Sequence, residues 1–438
     1  MNFDYKNVLI MGYSKSGKAV EEILKKNNVN YMIYDKSHKL SGGGYLSKLN
    51  KKLVSSFDLI VLSPGISIYN KYIVLAEKLG IKVVGELEFG FWFTASPVIA
   101  ITGTNGKTTT TRLINSIVST TYTSDAFGNI GTPLSLAYLK SLDYLVTEVS
   151  SFQLESTYLF NPYISVILNI AEDHIDRHKT FENYIKCKLG LIKNCNEKSL
   201  IVLNADDAIV MERTDNIKAK KYYISKFKKV KGVYIAKDAI YLNINSKPTE
   251  IMKLSDCEHL LPVIEDVLAS ILVGELLKID KEKIVNEVKN FTLSPHRMKL
   301  VMEKNGIKYI DDSKSTNVHS TLNALKSVHE GVILLLGGED KNLNFDEIFN
   351  KYSSQLSCVI AFGDARKKIL KSAIKCGFEN VKVVKTFLEA VKLSYALAKD
   401  KNTVLLSPAC ASFDEFTSYA ERGEKFESVL KELANAKN

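Results

Sequence analysis

An apolar run, a glycine-rich turn and a helical stretch follow one another in the first quarter of this chain. The apolar run covers residues 98–101, the turn covers 102–107, and the helical stretch begins at Thr108. Backbone N–H groups in such a turn, together with the positive end of the helix dipole, bind phosphate oxygens. The order of these three elements predicts a nucleotide-binding α/β domain with the turn at the carboxyl end of a buried strand.

The residue types in this turn indicate ATP and magnesium. Lys107 is placed to reach the terminal phosphates, and the Thr108 hydroxyl is placed to ligate Mg²⁺. The usual spacing puts the first glycine at position 101, where this chain has Ile101. A glycine-rich turn with a chance lysine is the alternative interpretation. We predict that ATP contacts Gly103, Thr104, Asn105, Gly106, Lys107, Thr108, Thr109 and Thr110.

The length of the chain predicts about three domains, since domains average roughly 150 residues. We place them at 1–95, 96–293 and 294–438. No apolar run approaches the roughly 18 residues that a membrane span needs, so no membrane insertion is expected. The first residues lack the layout of a signal peptide. The six cysteines include no Cys-x-x-Cys pair, which indicates reduced thiols. We therefore expect a cytoplasmic protein.

The net charge of +10 raises the question of a nucleic-acid partner. Lysines occur along the whole chain, and the sequence contains no helix-turn-helix, zinc-finger or RNA-reading motif. A general basic bias that helps to attract an anionic substrate is the better interpretation. We predict no nucleic-acid partner.

The first segment begins like a dinucleotide-binding fold. An apolar run at 8–11 ends at Gly12, a helical pattern follows Gly17, and a second apolar run ends at Asp35. A βαβ unit with an acidic residue after its second strand is typical of Rossmann-like domains. Because the glycines do not complete a Gly-x-Gly-x-x-Gly pattern, we predict a nucleotide-diphosphate loop and not a nicotinamide site.

Apolar runs alternate with helical stretches in the rest of the chain. Clear runs are 144–148, 164–169, 332–338 and 403–408. This alternation predicts parallel sheets. The expected fold class is therefore α/β, with a Rossmann-like N-terminal domain, a central phosphate-loop ATPase-like domain containing a parallel sheet, and a Rossmann-like C-terminal domain.

Polar residues follow two of the central runs, where they would face a ligand crevice. Glu148 ends the first run, at the place where phosphate-loop proteins hold magnesium. A solvated strand-end glutamate is the alternative. His174 lies in a polar stretch after the second run and can offer a neutral nitrogen to a metal. A lone histidine is more often structural, but this position favours a ligand.

One lysine lies on the apolar face of a predicted helix. In a helix over about 181–195, Lys188 falls among apolar residues, whereas Lys186 and Lys193 fall on the opposite face. Burial of an ammonium group is costly, so such a lysine loses its proton or finds a specific partner. The alternative is a lysine whose stem lies along the core and whose amine reaches water.

Two polar runs in the third segment each follow an apolar run. Residues 311–317 read Asp-Asp-Ser-Lys-Ser-Thr-Asn and predict a ligand loop, with a solvent loop as the alternative. The second run begins at 407, and its Ser412 is placed to cap a helix whose N-terminus faces an anion.

Five strings together resemble the Mur ligase family of peptidoglycan synthesis, over essentially the full chain. They are the residues at 103–108, 148–154, 172–177, 312–317 and 407–412. The last two favour the D-glutamate-adding branch of the family. The resemblance implies that ATP phosphorylates the carboxylate of UDP-N-acetylmuramoyl-L-alanine and that the amine of D-glutamate attacks the acyl phosphate. We expect a monomer.

The resemblance also implies roles for individual residues. The catalytic residues would be Lys107, His174, Lys188 and Lys314. Two Mg²⁺ ions would be held by Thr108, Glu148, His174 and a carbamylated Lys188. The nucleotide would also contact His296, Arg297, Asp312 and Lys314. The UDP-sugar substrate would contact Ser14, Lys15, Asp35, Ser63, Gly65, Asn129 and Ser150. D-Glutamate would contact Thr316, Lys341, Ser412, Phe413 and Tyr419.

Two positions depart from the family pattern. Residues 262–266 replace the His-Asn-x-x-Asn string near the adenine, so we make no prediction for the adenine contacts. Tyr419 replaces a phenylalanine, which is a milder change. Two alternatives stay open. One is a sister ligase of the Mur or folylpolyglutamate type that adds a different amino acid. The other is a phosphate-loop protein that binds nucleotide without ligase chemistry.

Overall fold

The computed structural model describes residues 3–36, 44–328, 331–340 and 343–436. In these residues the chain forms three sheets flanked by helices, which confirms the α/β fold class. The chain divides into two units, one of residues 1–258 with 263–291 and one of 259–262 with 292–438. The first unit contains two of the sheets and the second unit contains the third. The domain boundaries after 95 and 293 stay predictions.

The first sheet is parallel, with its described strands in the order β3-β2-β1-β4-β5. The strands are β1 (Asn7–Met11), β2 (Asn30–Tyr34), β3 (Tyr45–Leu46), β4 (Leu59–Leu62) and β5 (Lys82–Gly85). The helices are α1 (Lys15–Lys26), α2 (Lys51–Val54), α3 (Lys71–Lys78) and α4 (Glu86–Phe93). Helix α1 lies close to the turn after β1, because a Cβ on Gly17 would be 2.1 Å from the Gly12 carbonyl oxygen. The strand order reverses at β1, which opens a crevice at its carboxyl end.

The central sheet has the order β14-β13-β12-β11-β10-β9-β6-β8-β7. Its strands are β6 (Val98–Thr102), β7 (Ser124–Gly128), β8 (Tyr144–Glu148), β9 (Ile164–Ile167), β10 (Leu200–Asn204), β11 (Lys220–Ser225), β12 (Gly232–Ala236), β13 (Ala239–Asn243) and β14 (Thr249–Lys253). Strands β6 to β12 are parallel, whereas β13 and β14 pair antiparallel at one edge.

The helices of this region include the one that follows the glycine-rich turn. They are α5 (Lys107–Ser119), α6 (Ser151–Leu154), α7 (Ile175–His178), α8 (Phe181–Leu189), α9 (Ala208–Thr214), α10 (Ile264–Leu276) and α11 (Lys281–Asn290). Three 3₁₀ segments are Leu134–Leu139, Gly190–Ile192 and Leu254–Val263. Helix α8 is shorter than the predicted 181–195, because the α-helix gives way to a 3₁₀ turn at Gly190, a poor helix former.

The sheet of the second unit has the order β15-β16-β20-β17-β18-β19 and is parallel except for the β15–β16 pair. Its strands are β15 (Lys299–Lys304), β16 (Ile307–Asp311), β17 (Val332–Gly337), β18 (Leu356–Phe362), β19 (Val381–Val383) and β20 (Thr403–Ala409). Its helices are α12 (Val318–Lys326), α13 (Asp346–Tyr352), α14 (Arg366–Lys375), α15 (Phe387–Leu397) and α16 (Tyr419–Asn435).

Central strands of each sheet are covered on both faces. Every residue of β4, β6, β17 and β20 is buried. This burial explains why these strands read as continuous apolar runs and not as alternating patterns. Among the described residues, no helix combines the length and the apolar character needed to cross a bilayer.

Candidate active site

The glycine-rich turn joins β6 to α5 as a phosphate-binding loop. Its Gly106 has a φ of +85°, and a Cβ there would lie 2.1 Å from the Asp266 Oδ1 atom, so only glycine fits. Lys107 begins α5, and its Nζ donates hydrogen bonds to the carbonyl oxygens of Gly103 at 2.7 Å and Thr104 at 2.8 Å. The amine therefore folds back over the loop, close to where phosphate oxygens would bind.

The three threonines that follow Lys107 differ in exposure. Thr108 is half-buried, whereas Thr109 and Thr110 are buried. The hydroxyls of Thr109 and Thr110 are enclosed, and the Thr110 N–H already donates to the Gly106 carbonyl oxygen at 3.0 Å. Asn105 is held by Asn169, whose Oδ1 accepts a hydrogen bond from the Asn105 N–H at 2.8 Å.

A cavity of about 260 Å³ lies beside the loop. Six residues predicted from the sequence line it, namely Thr104, Lys107, Asn129, Ser150, His174 and Lys188. Ser151, Phe152, Asp173 and Tyr184 complete the lining. Four of the predicted residues lie on the loops after β6, β7, β8 and β9, which are neighbours in the sheet. Carboxyl ends of parallel strands meet at one edge, and this brings distant parts of the sequence together.

Lys188 is the most unusual group in this cavity. It is 1% exposed, and its Nζ donates a hydrogen bond to the Gly103 carbonyl oxygen at 2.7 Å. The Tyr184 ring centroid lies 4.9 Å from the same nitrogen. Burial, and then the positive charge of Lys107, hold the pKa of Lys188 well below its ordinary value. Because the side chain is 1% exposed, the alternative in which its amine reaches water is wrong.

Glu148 is a buried carboxylate of which one oxygen accepts a hydrogen bond. It is 1% exposed, and its Oε1 accepts a hydrogen bond from the Asn129 Nδ2 at 2.7 Å. Its Oε2 is also buried and has no hydrogen-bond partner in the described part of the chain. A buried carboxylate oxygen without a donor costs free energy unless a cation or a water meets it. The solvated-glutamate alternative is therefore wrong for this side chain.

His174 has an uncommon backbone conformation directly before α7. Its φ is +54°, in the left-handed region, which costs free energy for a residue other than glycine. The ring packs against Phe152 with centroids 4.8 Å apart, and the Nε2 lies 3.7 Å from the Asp173 Oδ2. Strained backbone concentrates at functional sites, and this conformation leaves the His174 ring at the wall of the cavity.

An arginine near His174 joins three segments, a role that sequence reasoning did not predict. The Arg177 Nη2 lies 2.6 Å from the Glu155 Oε2 and donates to the Ile66 carbonyl oxygen at 2.9 Å. Its Nη1 donates to the Gly65 carbonyl oxygen at 3.4 Å. The guanidinium carbon lies 4.7 Å from the Phe152 ring centroid. The predicted substrate residue Gly65 is thereby tied to the segment that carries His174.

His178 completes this network from the same helical turn. Its Nδ1 lies 3.3 Å from the Glu155 Oε1, and its Nε2 is 3.0 Å from the Ser151 Oγ. Burial, with the neighbouring charges of His174, Arg177 and Lys188, lowers the pKa of His178 to about 4. The ring is therefore neutral at physiological pH.

The residues predicted to bind the UDP group lie at the carboxyl ends of β1, β2 and β4. Ser14 precedes α1, and its side chain makes no capping hydrogen bond. The Asp35 Oδ2 accepts a hydrogen bond from the Tyr13 N–H at 2.6 Å, and the Ser63 Oγ donates to the Gly12 carbonyl oxygen at 2.9 Å. Ser14 and Lys15 are exposed. The first sheet thus brings Ser14, Lys15, Asp35, Ser63 and Gly65 to one edge.

In the second unit, the residues predicted to face the nucleotide cluster around two neighbouring aspartates. The His296 Nδ1 lies 2.6 Å from the Asp311 Oδ2, and the Lys314 N–H donates to the His296 carbonyl oxygen at 3.0 Å. Asp312 is 1% exposed, and its Oδ2 accepts a hydrogen bond from the Ser407 Oγ at 2.8 Å. Burial raises the pKa of Asp312 to about 6, although the charge of Arg297 opposes that rise.

Three of the residues predicted to bind D-glutamate, Thr316, Ser412 and Phe413, lie on the segments after β16 and β20, and Tyr419 begins α16. Ser412 is 1% exposed, and its Oγ has no hydrogen-bond partner within the described ranges. Phe413 is exposed, Thr316 is half-buried, and the Tyr419 ring centroid lies 5.7 Å from the Lys314 Nζ. Lys341 lies outside the described residues.

The expectation that Ser412 caps a helix is wrong. Helix α16 begins at Tyr419, and the Ser418 side chain caps it by accepting the Glu421 N–H. Sequence reasoning also missed Arg422, which is fully buried in that helix. Its guanidinium donates hydrogen bonds to Ser313 and to the carbonyl oxygens of Cys410 and Ala411. It therefore joins the two polar loops of the second unit.

Asp312 provides a test of this site through stability. Its raised pKa means that the folded chain binds more protons than the unfolded chain between about pH 4 and pH 6. Stability is therefore lost as the pH rises through this window. We expect Asp312→Asn to raise the free energy of unfolding by up to about 3 kcal/mol at pH 8, with no gain below pH 4. Urea unfolding across this pH range measures the difference, and a destabilised variant at pH 8 would contradict it.

The fold and the cavity define a phosphate-loop enzyme. Three family models match the chain: Mur ligase MurD-like, N-terminal domain, at residues 6–85; Mur ligase middle domain at 101–263; and Mur ligase, glutamate ligase domain, at 296–410. The chain belongs to the Mur ligase family, and it is a ligase. This confirms the resemblance that the five strings indicated.

Curated relatives match over nearly the full length. A protein named UDP-N-acetylmuramoylalanine–D-glutamate ligase in Thermoanaerobacter sp. (strain X514) is 36% identical to this chain. The match covers 99% of this chain and 100% of the relative. The protein of that name in Clostridioides difficile (strain 630) is also 36% identical, with the same coverage.

Solved structures share the fold. A pseudomurein peptide ligase type C from Methanothermus fervidus has a TM-score of 0.62 at 20% identity, covering 98% of this chain and 100% of that chain. MurF ligase from Thermotoga maritima in complex with ADP has a TM-score of 0.59 at 15% identity, and the match covers 98% of this chain and 95% of that chain.

Proposed function

We propose that this chain is an ATP-dependent ligase that joins D-glutamate to UDP-N-acetylmuramoyl-L-alanine in the cytoplasmic stage of peptidoglycan synthesis, acting as a monomer. The observation that carries the proposal is the cavity that joins the phosphate loop to Lys188 and, through Asn129, to Glu148. Full-length curated relatives that bear the name of this activity support it.

The proposed reaction has two steps. The γ-phosphoryl group of ATP passes to a carboxylate oxygen of the alanyl group, and ADP leaves. The amine nitrogen of D-glutamate then attacks the acyl carbon, the bond from that carbon to the phosphate oxygen breaks, and the amine loses a proton. Negative charge builds on the phosphoryl oxygens and then on the acyl oxygen, so fixed positive groups lower both barriers. Lys107 and the N–H groups at the start of α5 supply such groups beside the loop.

The residues at the cavity fit divalent cations. Magnesium prefers oxygen ligands, and the buried Glu148 Oε2 has no donor among the described groups. We assign two Mg²⁺ ions to Thr108, Glu148, His174 and Lys188. When bound, they would supply positive charge to the phosphates. An amine nitrogen is a poor ligand for magnesium, which prefers oxygen. Lys188 would become an oxygen ligand if its Nζ attacked CO₂ and lost a proton, which gives a carbamate.

The second unit supplies the remaining groups in this proposal. His296, Arg297, Asp312 and Lys314 would face the nucleotide. Thr316, Lys341, Ser412, Phe413 and Tyr419 would surround D-glutamate. The buried Ser412 Oγ, which has no partner among the described residues, supports a ligand at that loop. The UDP end of the other substrate would lie against Ser14, Lys15, Asp35, Ser63 and Gly65, with Asn129 and Ser150 nearer its reacting end. The corresponding functional domains are 1–95, 96–293 and 294–438.

A panel of amino acids tests this assignment. Phosphate release is measured with ATP, Mg²⁺ and UDP-N-acetylmuramoyl-L-alanine, and D-glutamate, L-alanine or L-lysine is added in turn. We expect release with D-glutamate alone. Activity with L-alanine or L-lysine and none with D-glutamate would favour a sister ligase. ATP turnover that depends on neither substrate would favour a nucleotide-binding protein without ligase chemistry.

A further inference from the structure

One segment of the central sheet carries a large share of the positive charge. Residues 216–237 contain eight lysines and no aspartate, glutamate or arginine, in a chain whose net charge is +10. The segment covers β11, the connection to β12, and β12 itself. Its exposed lysines are Lys218, Lys220, Lys228, Lys229, Lys231 and Lys237. Basic charge is therefore concentrated in this stretch of the chain.

An apolar ring lies in the middle of this segment. The side chain of Phe227 is 80% exposed, the highest value among the large hydrophobic residues that the structure describes. Lys226 precedes it, and Lys228 and Lys229 follow it. The Lys226 Nζ is 5.3 Å from the ring centroid and is paired with the Glu265 Oε1 at 2.6 Å. Lys228 and Lys229, which follow Phe227 in the sequence, are both exposed.

Hydrogen bonds hold the backbone of this connection in a defined turn. The Asp206 carboxylate accepts the Lys226 N–H at 2.7 Å and the Ser225 hydroxyl at 2.6 Å. The Ser225 Oγ in turn accepts the Phe227 N–H at 3.1 Å and the Lys228 N–H at 2.9 Å. An exposed phenylalanine adds no stability to the isolated fold, yet an ordered turn presents this one to the outside. Such an arrangement indicates a contact surface.

We propose that the connection at 226–231 docks the enzyme on an anionic lipid surface. The ring of Phe227 would enter the boundary between headgroups and acyl chains, and Lys228 and Lys229 would meet the lipid phosphates. Lysine is a flexible point charge that suits a diffuse negative surface. Recognition of individual phosphates in nucleic acids favours the fork of arginine, which is absent from 216–237. This contact is peripheral and does not depend on the proposed ligase activity.

Co-sedimentation of the full chain with vesicles tests the proposal. We expect binding to vesicles of phosphatidylglycerol and phosphatidylcholine, no binding to phosphatidylcholine alone, and weaker binding as NaCl is added. Lys228→Gln with Lys229→Gln should lower the partition coefficient about 25-fold, at about fivefold per lysine. Phe227→Ala should lower it roughly tenfold, since the ring loses its apolar burial.

A matched control is available in the second unit. Ile374 is 67% exposed on α14, and Lys367 and Lys371 are exposed on the same helix. Ile374→Ala, and Lys367→Gln with Lys371→Gln, should leave vesicle binding unchanged. All of these side chains are exposed, so thermal unfolding should be the same in every variant.

Three results would overturn the proposal. One is a wild-type chain that does not bind phosphatidylglycerol vesicles at low salt. Another is an equal loss of binding in the α14 control variants. The third is a Phe227→Ala variant that binds vesicles normally but has a raised KM for ATP or a weakened affinity for single-stranded DNA. That result would assign the ring to the nucleotide or to a nucleic acid.

Discussion

Lys188→Ala is expected to reduce ligase activity about a thousandfold, a loss typical of removing a fixed group that stabilises transition-state charge. The buried amine lies 2.7 Å from the carbonyl oxygen of Gly103, inside the phosphate loop. If Lys188 acts as a carbamate, its loss also removes an oxygen ligand for magnesium. Small carboxylates such as acetate should then restore part of the activity, because they can occupy the space of the missing group. Phosphate release at increasing acetate concentration measures this.

Lys186→Ala is the matched control for this experiment. It lies on the same helix, but its side chain is exposed, so we expect no change in activity. Lys188→Met separates chemistry from packing, since it keeps most of the buried volume and has no amine. We expect Lys188→Met to fold with a near-normal melting temperature and to be inactive. Full activity of Lys188→Ala without any additive would falsify an essential carbamate.

Arg177→Met is expected to lower the free energy of unfolding by about 3–5 kcal/mol, because it leaves the Glu155 carboxylate buried without its main counter-charge. The side chain of Glu155 is 2% exposed and that of Arg177 is 12% exposed. The same substitution removes the donors to the carbonyl oxygens of Gly65 and Ile66. We therefore also expect a raised KM for the UDP-sugar substrate.

A double-mutant cycle isolates the contribution of this ion pair. Arg177→Met combined with Glu155→Gln should recover much of the lost stability, since no unpaired charge then remains. Arg213→Met is the control, because the Arg213 Nη2 and the Glu182 Oε2 are 3.0 Å apart in a pair whose side chains are 40% and 43% exposed. Arg213→Met should lower the free energy of unfolding by less than about 1 kcal/mol. A similar cost for Arg177→Met and Arg213→Met would rule out a buried pair of this strength.

Local patterns account for much of what the sequence could predict. The strand, the glycine turn and the helix at 98–115 are contiguous, so their geometry follows from neighbouring residues. The burial of Lys188 follows from its place on an apolar helix face. The convergence of residues between Thr104 and Lys188 follows from a general property of parallel sheets, whose carboxyl ends share one edge.

Contacts between distant segments could not be predicted from the sequence. Arg177 meets carbonyl oxygens more than a hundred positions away, and no periodicity encodes such a pair. The same holds for the bonds from Arg422 to Ser313. The antiparallel edge of β13 and β14 also departed from the expected parallel pattern, because short hairpins need only a tight turn between strands. For Ser412, the residue type was compatible with a cap, but the helix begins only at Tyr419, where the Ser418 side chain accepts the Glu421 N–H.

The arginine at position 177 has a thermodynamic consequence. Its guanidinium donates hydrogen bonds to the carbonyl oxygens of Gly65 and Ile66 and also to the carboxylate of Glu155. A ligand that tightens the Gly65 loop must therefore also favour one arrangement of the helix that follows His174. If the proposed UDP-sugar and metal bind on the two sides of Arg177, such coupling would be reciprocal by necessity, and the factor by which one changes the affinity for the other would be the same in both directions. The order in which UDP-sugar and metal are added would then change how fast the complex of chain, UDP-sugar and metal assembles. It would leave the final stability of that complex unaltered.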